Sequence, residues 1–378
     1  MEVNKIVNNL QYSLIRALKE EAENYSDVID LTVGEPDLET PKEIVLEAFE
    51  KAKDIKLSYP PTGGGEKIRS LIAKHYNKKY NTNYKTDNVI VNVGASEAIS
   101  SCFRTILNPE DEVIVISPFY AGYPPMIELC YAKPIYIDIS KHNFVLTPEI
   151  LEKYMTDKTK AILFCNPCNP TGNVMGYEEM KTLANFLAGK NLFIISDEIY
   201  SELAFEEFYS FGSFDNIKDQ LIIINGFSKS HSMTGWRIGY TIFPIKYRKN
   251  FLNTTLYTLS SPMAVSILAA EVALEKFDDR SEFKDIYKKR ALYLYNELKN
   301  LGLEPVKPKG AFYIFVNYSN ISKLNSYDFA IDLLKKSKVA LVPGIAFGVE
   351  NYFRISSIYD LPILEEVVNR LKAYIEGN

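Results

Sequence analysis

Ala161-Ile162-Leu163-Phe164-Cys165, Leu192-Phe193-Ile194-Ile195 and Leu221-Ile222-Ile223-Ile224 are three short runs, apolar throughout and roughly thirty residues apart. A strand with one wet face alternates apolar and polar side chains, whereas these runs are apolar on both faces. Strands covered on both sides by helices read this way. Between the first two runs, Tyr177, Met180, Leu183, Ala184 and Leu187 recur at the spacing of one helical face. Strand, helix and strand in alternation predict an α/β domain with a mostly parallel sheet.

Working outward, similar runs at 89–93, 113–116, 135–139 and 239–243 bring the expected sheet to seven strands lying between helices. The flanks differ. Ser13 to Ala22 is helical in pattern and is followed by the turn-rich Gly34-Glu35-Pro36-Asp37. Beyond about residue 250, a helical pattern at Val265, Leu268, Ala269, Val272 and Ala273 precedes strand-like runs at 312–316, 339–342 and 353–356. A closing helix begins at Pro362. The C-terminal third and the N-terminal segment are therefore expected to build a smaller α+β domain. The division predicted is an N-terminal arm with part of the small domain at 1–45, a large domain at 46–280 and a small C-terminal domain at 281–378.

The chain has 378 residues, 47% hydrophobic and 24% charged, with a formal net charge of −5. This is ordinary globular composition, unlike disordered, collagen-like or disulfide-stapled chains. No block of Lys and Arg supplies the basic face that nucleic acid requires. No stretch reaches the ~18 apolar residues of a membrane span, and the N-terminus shows no signal-peptide pattern. Cys102, Cys130, Cys165 and Cys168 are too few for a disulfide framework, so a reducing cytoplasm is expected. Cys165 and Cys168 form a C-x-x-C, but none of the three histidines repeats a zinc spacing. Small thiols beside a turn, with no metal, is the expectation.

In open α/β sheets, ligands bind beyond the C-terminal ends of the strands. Four such exits carry chemistry. Gly94-Ala95-Ser96 opens a helix after the first run, which suits a phosphate, although Ser96 also reads as a plain N-cap. Asn166-Pro167-Cys168-Asn169-Pro170-Thr171-Gly172 is a rigid loop that either merely turns the chain or presents the Asn169 amide. Asp197 ends an apolar run and needs a cation or donors if it is not an N-cap; Tyr200 follows close by. Lys229 follows the run Leu221–Ile224 amid small and aromatic residues, eight positions before Arg237. Partial desolvation makes such an amine nucleophilic, and Arg237 can clamp a phosphate or carboxylate. Pyridoxal phosphate is the ligand that needs an amine, an acid, a phenolic-oxygen donor and a phosphate cup together.

With these residues in place, the sequence resembles the class I/II aminotransferases of the aspartate aminotransferase family, fold type I among pyridoxal-phosphate enzymes. The likeness runs through Ser13-Leu14-Ile15-Arg16, Gly34-Glu35-Pro36-Asp37, Tyr59-Pro60-Pro61-Thr62-Gly63, Gly94-Ala95-Ser96-Glu97-Ala98 and Pro118-Phe119-Tyr120. It continues in Asn169-Pro170-Thr171-Gly172, Asp197-Glu198-Ile199-Tyr200, Ser228-Lys229, residues 234–239 and Phe353-Arg354-Ile355-Ser356.

The resemblance implies a Schiff base between Lys229 and the cofactor aldehyde, with Lys229 later moving the substrate proton. It implies Asp197 on the pyridine nitrogen, Tyr200 and Asn169 on the phenolic oxygen, and Tyr120 stacked on the ring. Ala95, Ser96 and Arg237 would hold the phosphate, joined by Tyr59 from a neighbouring subunit, hence a homodimer; Ser228 would be a further cofactor-binding residue. Arg354 would take the substrate α-carboxylate, with Asn169 beside it and Gly34 closing over it. Two departures stand out: Gly226 occupies a position where many relatives carry a phosphate-binding Ser, and Ser96 stands where aspartate-specific relatives carry Lys. The activity implied is amino transfer from an amino acid to a 2-oxo acid, with aspartate, aromatic or other donors all open. A C–S β-lyase or other lyase on the same fold is the alternative, and a non-catalytic cofactor-binding regulator a remote one. The G-x-G-x-x-G of a dinucleotide-binding oxidoreductase is missing after the first strand.

Overall fold

The computed structural model describes residues 1–377. Its large sheet holds β1 (Val89–Asn92), β2 (Glu112–Ser117), β3 (Lys133–Asp138), β4 (Thr159–Cys165), β5 (Phe193–Asp197), β6 (Leu221–Gly226) and β7 (Gly239–Ile242). The order across the sheet is β1-β7-β6-β5-β4-β2-β3. Only β7 runs against its neighbours, β1 and β6; the other pairings are parallel. The seven predicted runs all fall in this sheet, with ends displaced by a residue or two. The reversal has a simple cause. Parallel neighbours require a crossover long enough for a helix, and the loop at 227–238 contains none, so the chain returns antiparallel. That short return brings both ends of the loop, Lys229 and Arg237, to one edge of the sheet.

The doubly apolar runs are explained by two cores. Ile114, Ile162, Ile194 and Ile223 pack on one face with Met180 and Leu183 of the helix Tyr177–Leu187. Their neighbours Val113, Leu163, Ile195 and Ile224 pack on the other with Ala98, Cys102 and Phe103 of the helix Gly94–Ile106. Successive side chains point to opposite faces, so each strand contributes to both layers.

A second sheet, antiparallel, contains β8 (Glu304–Pro305), β9 (Tyr313–Asn317), β10 (Val342–Pro343) and β11 (Tyr352–Ser356) in the order β10-β11-β9-β8. Its core takes in Leu18 and Leu31 beside Leu294, Ile314, Phe329 and Leu364, so the N-terminal segment packs with the C-terminal third. One expectation is corrected here. The run 339–342 is not a single strand: Val339–Ala340 pairs in parallel with Ile29–Asp30, while Val342–Pro343 pairs with β11. The chain changes sheets at Leu341, and because all these residues are buried, no polar residue marks the break. Among the described residues, no helix is long and apolar enough to cross a membrane.

An ionic cluster ties the loop after β5 to the helix Glu66–Tyr80. His75 contacts Asp278 through Nδ1, and its Nε2 lies 3.5 Å from Glu202, which Lys79 also meets. Burial alone would lower the His75 pKa, but the two carboxylates outweigh it and raise the pKa to about 9. A raised folded-state pKa gives stability that is complete below about pH 6.5 and is lost as pH climbs toward 9. A His75→Gln variant should therefore melt well below the native protein near neutral pH, and the gap should close as pH approaches 9. Thermal midpoints measured across that window check this; a gap that widens with pH contradicts it.

Candidate active site

A cleft of about 690 Å³ opens at the C-terminal ends of β4, β5 and β6. Its rim comes from the turn-rich N-terminal segment and from Tyr313 and Arg354 on β9 and β11. Ala95, Ser96, Tyr120, Asn169, Asp197, Tyr200, Ser228, Lys229, Arg237, Gly34 and Arg354 all line it. Tyr59 is not among the lining residues and is 87% exposed.

Lys229 leaves β6 half-buried, and its ammonium donates to the Gly34 carbonyl. No carboxylate forms an ion pair with it among the described residues. Burial is the main reason that its pKa falls to about 8; the Arg354 and Arg237 charges push the same way, against Glu35 and Asp197. An amine so placed is partly neutral in ordinary buffer and can take a proton or attack a carbonyl.

Asp197 closes β5 almost fully buried, and it caps no helix. Oδ2 accepts a hydrogen bond from the Tyr123 hydroxyl at 2.7 Å, and Oδ1 accepts one from the Ile199 amide at 3.2 Å. Burial raises its pKa to about 6, with the two donors and Lys229 pulling it back. The carboxylate is thus mostly ionised at neutral pH and faces the same cleft as the amine.

The turn that opens the helix after β1 is built by close packing. Gly94 opens the 13-residue helix Gly94–Ile106. A Cβ at Gly94 would lie 2.8 Å from the Arg237 guanidinium. Arg237 itself adopts a positive φ of 50°, a conformation that costs a non-glycine residue roughly 1–3 kcal/mol. The N-cap reading of Ser96 is corrected: Val93 is the N-cap, Ser96 lies in the first turn, and Glu97 accepts the Val93 amide at 3.1 Å. Ser96 lines the cleft.

Gly226 also has a reason. A Cβ there would stand 2.9 Å from the Gly239 Cα and 3.1 Å from the Ile238 carbonyl, so β6 and β7 meet backbone to backbone. A serine has no room at that position.

Arg354 is 2% exposed and reaches across from β11. Nη1 donates to the Asn169 side-chain oxygen at 3.1 Å, Nη2 donates to the Thr32 carbonyl at 2.6 Å, and Nε has no partner. The guanidinium lies 4.3 Å over the Tyr313 ring, and the Tyr313 hydroxyl meets that of Tyr200 at 2.9 Å. A buried cation with an unused donor suits a small carboxylate.

Tyr123, Tyr313, Thr32 and Glu35 belong to the cleft but were not singled out from the sequence. Tyr123 is one of 26 tyrosines, and no local pattern sets it apart. Arg16, from the helix Leu14–Ala22, also reaches the cleft. Cys165 and Cys168 touch one another beneath Tyr123, and all four cysteines are free thiols.

The packing at Gly226 makes a clear forecast. A Gly226→Ser change should lower thermal stability by about 1–3 kcal/mol through overpacking. It should also fail to tighten the binding of pyridoxal phosphate, although it adds a donor. Tighter binding at undiminished stability would refute the packing argument.

Comparison with known proteins gives the family. Residues 26–371 match the family model described as aminotransferase class I and II. A Bacillus subtilis protein named as a probable N-acetyl-LL-diaminopimelate aminotransferase is 40% identical, over 99% of this chain and 95% of its own length. The aspartate aminotransferase of Bacillus subtilis is 34% identical over 100% of this chain and 99% of its own. Among solved structures, the aspartate aminotransferase of Thermotoga maritima superposes with a TM-score of 0.94 at 34% identity, covering 99% of this chain and 100% of that one. The chain belongs to the class I and II aminotransferase family.

Proposed function

We propose that this chain is a pyridoxal-phosphate-dependent amino-acid aminotransferase, moving an amino group from an amino acid to a 2-oxo acid. The observation that carries the reading is that Lys229 and Asp197 face one cleft, beside a helix N-terminus crowned by Arg237. The donor set fits pyridoxal phosphate. Lys229 is the amine for its aldehyde and Asp197 the acid partner for its ring nitrogen. Tyr200 and Asn169 serve its phenolic oxygen, and Tyr120 its ring face. The helix amides at Ala95 and Ser96, with Ser228 and Arg237, receive the phosphate.

When bound, the cofactor supplies an electron sink for the carbon that loses its proton. The chain's own residues do the rest. Arg354, held in place by Asn169 and Thr32, binds the substrate α-carboxylate on the side that carries its unpartnered Nε. Lys229, its amine partly neutral, would take the proton from the substrate Cα and deliver it to the former aldehyde carbon on the other side of the amino nitrogen. Asp197, ionised and fixed by two donors, keeps a proton on the ring nitrogen. Gly34 and its neighbours close the mouth of the cleft.

The relatives named above are aminotransferases, which supports transfer over β-elimination. The exposed Tyr59 ring suits a homodimer in which it reaches the partner's cleft. Residues 46–280 serve as the cofactor-binding domain, with 281–378 and the arm 1–45 closing upon it. Free thiols suit a reducing cytoplasm.

Purified protein incubated with a panel of amino donors and 2-oxoglutarate should form product, and Lys229→Ala should lower the rate by ~10²-fold or more. Retention of the native rate by Lys229→Ala overturns the reading.

A further inference from the structure

We infer that Tyr123 is a positioning residue for this active site: its hydroxyl fixes the orientation and charge of Asp197 toward the ring nitrogen of pyridoxal phosphate. The inference rests on the cofactor reading above. Tyr123 opens the short helix Tyr123–Glu128 and is 1% exposed. Its ring lies edge-on to Tyr120, with centroids 5.2 Å apart and planes at 81°. Its hydroxyl donates to Asp197 Oδ2 at 2.7 Å.

A carboxylate has two oxygens and about four acceptor positions. At Asp197 one position on Oδ1 is filled by the Ile199 amide and one on Oδ2 by Tyr123. With both oxygens anchored the carboxylate cannot rotate about its bond to Cβ, so the remaining lone pairs have a fixed direction, and the residue lines the cleft. The backbone amide alone would leave a pivot. A side-chain hydroxyl is the only other donor to this carboxylate among the hydrogen bonds of the described residues.

The hydroxyl acts on charge as well. Asp197 is buried and tends toward its neutral form; a donor to the ionised form counters this. Tyr123 cannot serve as a competing anion, because burial and the Asp197 charge keep its phenol protonated. Removing the hydroxyl therefore favours a neutral Asp197, which offers a ring nitrogen far less.

The test uses cofactor-free full-length protein titrated with pyridoxal phosphate, read by fluorescence or calorimetry. Tyr123→Phe should weaken binding about tenfold or more, as expected for a lost hydrogen bond to a charged group. In an Asp197→Asn background the same change should alter binding less than about twofold, because the group that Tyr123 serves has lost its charge. An analogue with carbon in place of the ring nitrogen should bind native and Tyr123→Phe proteins alike.

Equal binding of pyridoxal phosphate by the native and Tyr123→Phe proteins overturns this inference alone. So does a loss that persists in the Asp197→Asn background, since Tyr123 would then act only by packing. Failure of the native protein to bind pyridoxal phosphate overturns the cofactor reading and this inference with it. Should Tyr123→Phe not fold, 3-fluorotyrosine at position 123 gives a second readout. Its fluorine resonance should move more with pyridoxal phosphate than with the carbon analogue; equal shifts overturn the inference.

Discussion

The site depends on a buried carboxylate and a desolvated amine held in one cleft without neutralising each other. Asp197 and Lys229 both leave the ends of neighbouring strands, β5 and β6. Had they formed a direct ion pair, each would be spent. Instead Asp197 is satisfied by Tyr123 and Ile199, while Lys229 rests on the Gly34 carbonyl. Each partner keeps a reactive form available: burial lowers the amine's pKa to about 8, and the donors limit the rise of the acid's to about 6. Burying polar groups in this way is costly unless hydrogen bonds compensate, which is why so many neighbours are donors.

The fold explains how those two groups come together. Parallel strands aim their C-terminal ends in one direction, so chemistry from β4, β5 and β6 accumulates along a single edge. The absence of a helix between β6 and β7 adds Arg237 to that edge. Gly226 and Gly239 let the two strands approach, and Gly94 leaves room for the guanidinium. Arg354 comes from the other sheet, so the cleft is lined from both sheets. Its contact with the Thr32 carbonyl ties in the N-terminal segment, whose Gly34 in turn meets Lys229.

Much of this was legible in the amino-acid order. Doubly apolar runs mark the large sheet because packing on both faces is written into consecutive residues. Lys229, Asp197 and Asn169 stand out because each follows such a run, where a polar group demands a reason. Tyr123 and Tyr313 do not stand out: what distinguishes them is a partner 74 or 113 residues away. The sheet change at Leu341 was hidden for a related reason, since uniform burial erases the polar punctuation that shows where a strand ends. Ser96 misled in another way. Serine is a good cap, but the helix already begins at Gly94, so Ser96 falls in its first turn, past the cap.

The account's central claim is that Lys229 lies within covalent reach of an aldehyde whose ring meets Asp197. Borohydride reduction of the protein with pyridoxal phosphate, followed by peptide mass spectrometry, tests this most directly. The account predicts that the reduced pyridoxyl mass is found on the peptide carrying Lys229 and nowhere else in stoichiometric amount. Labelling confined to other lysines, or none at all, would contradict it.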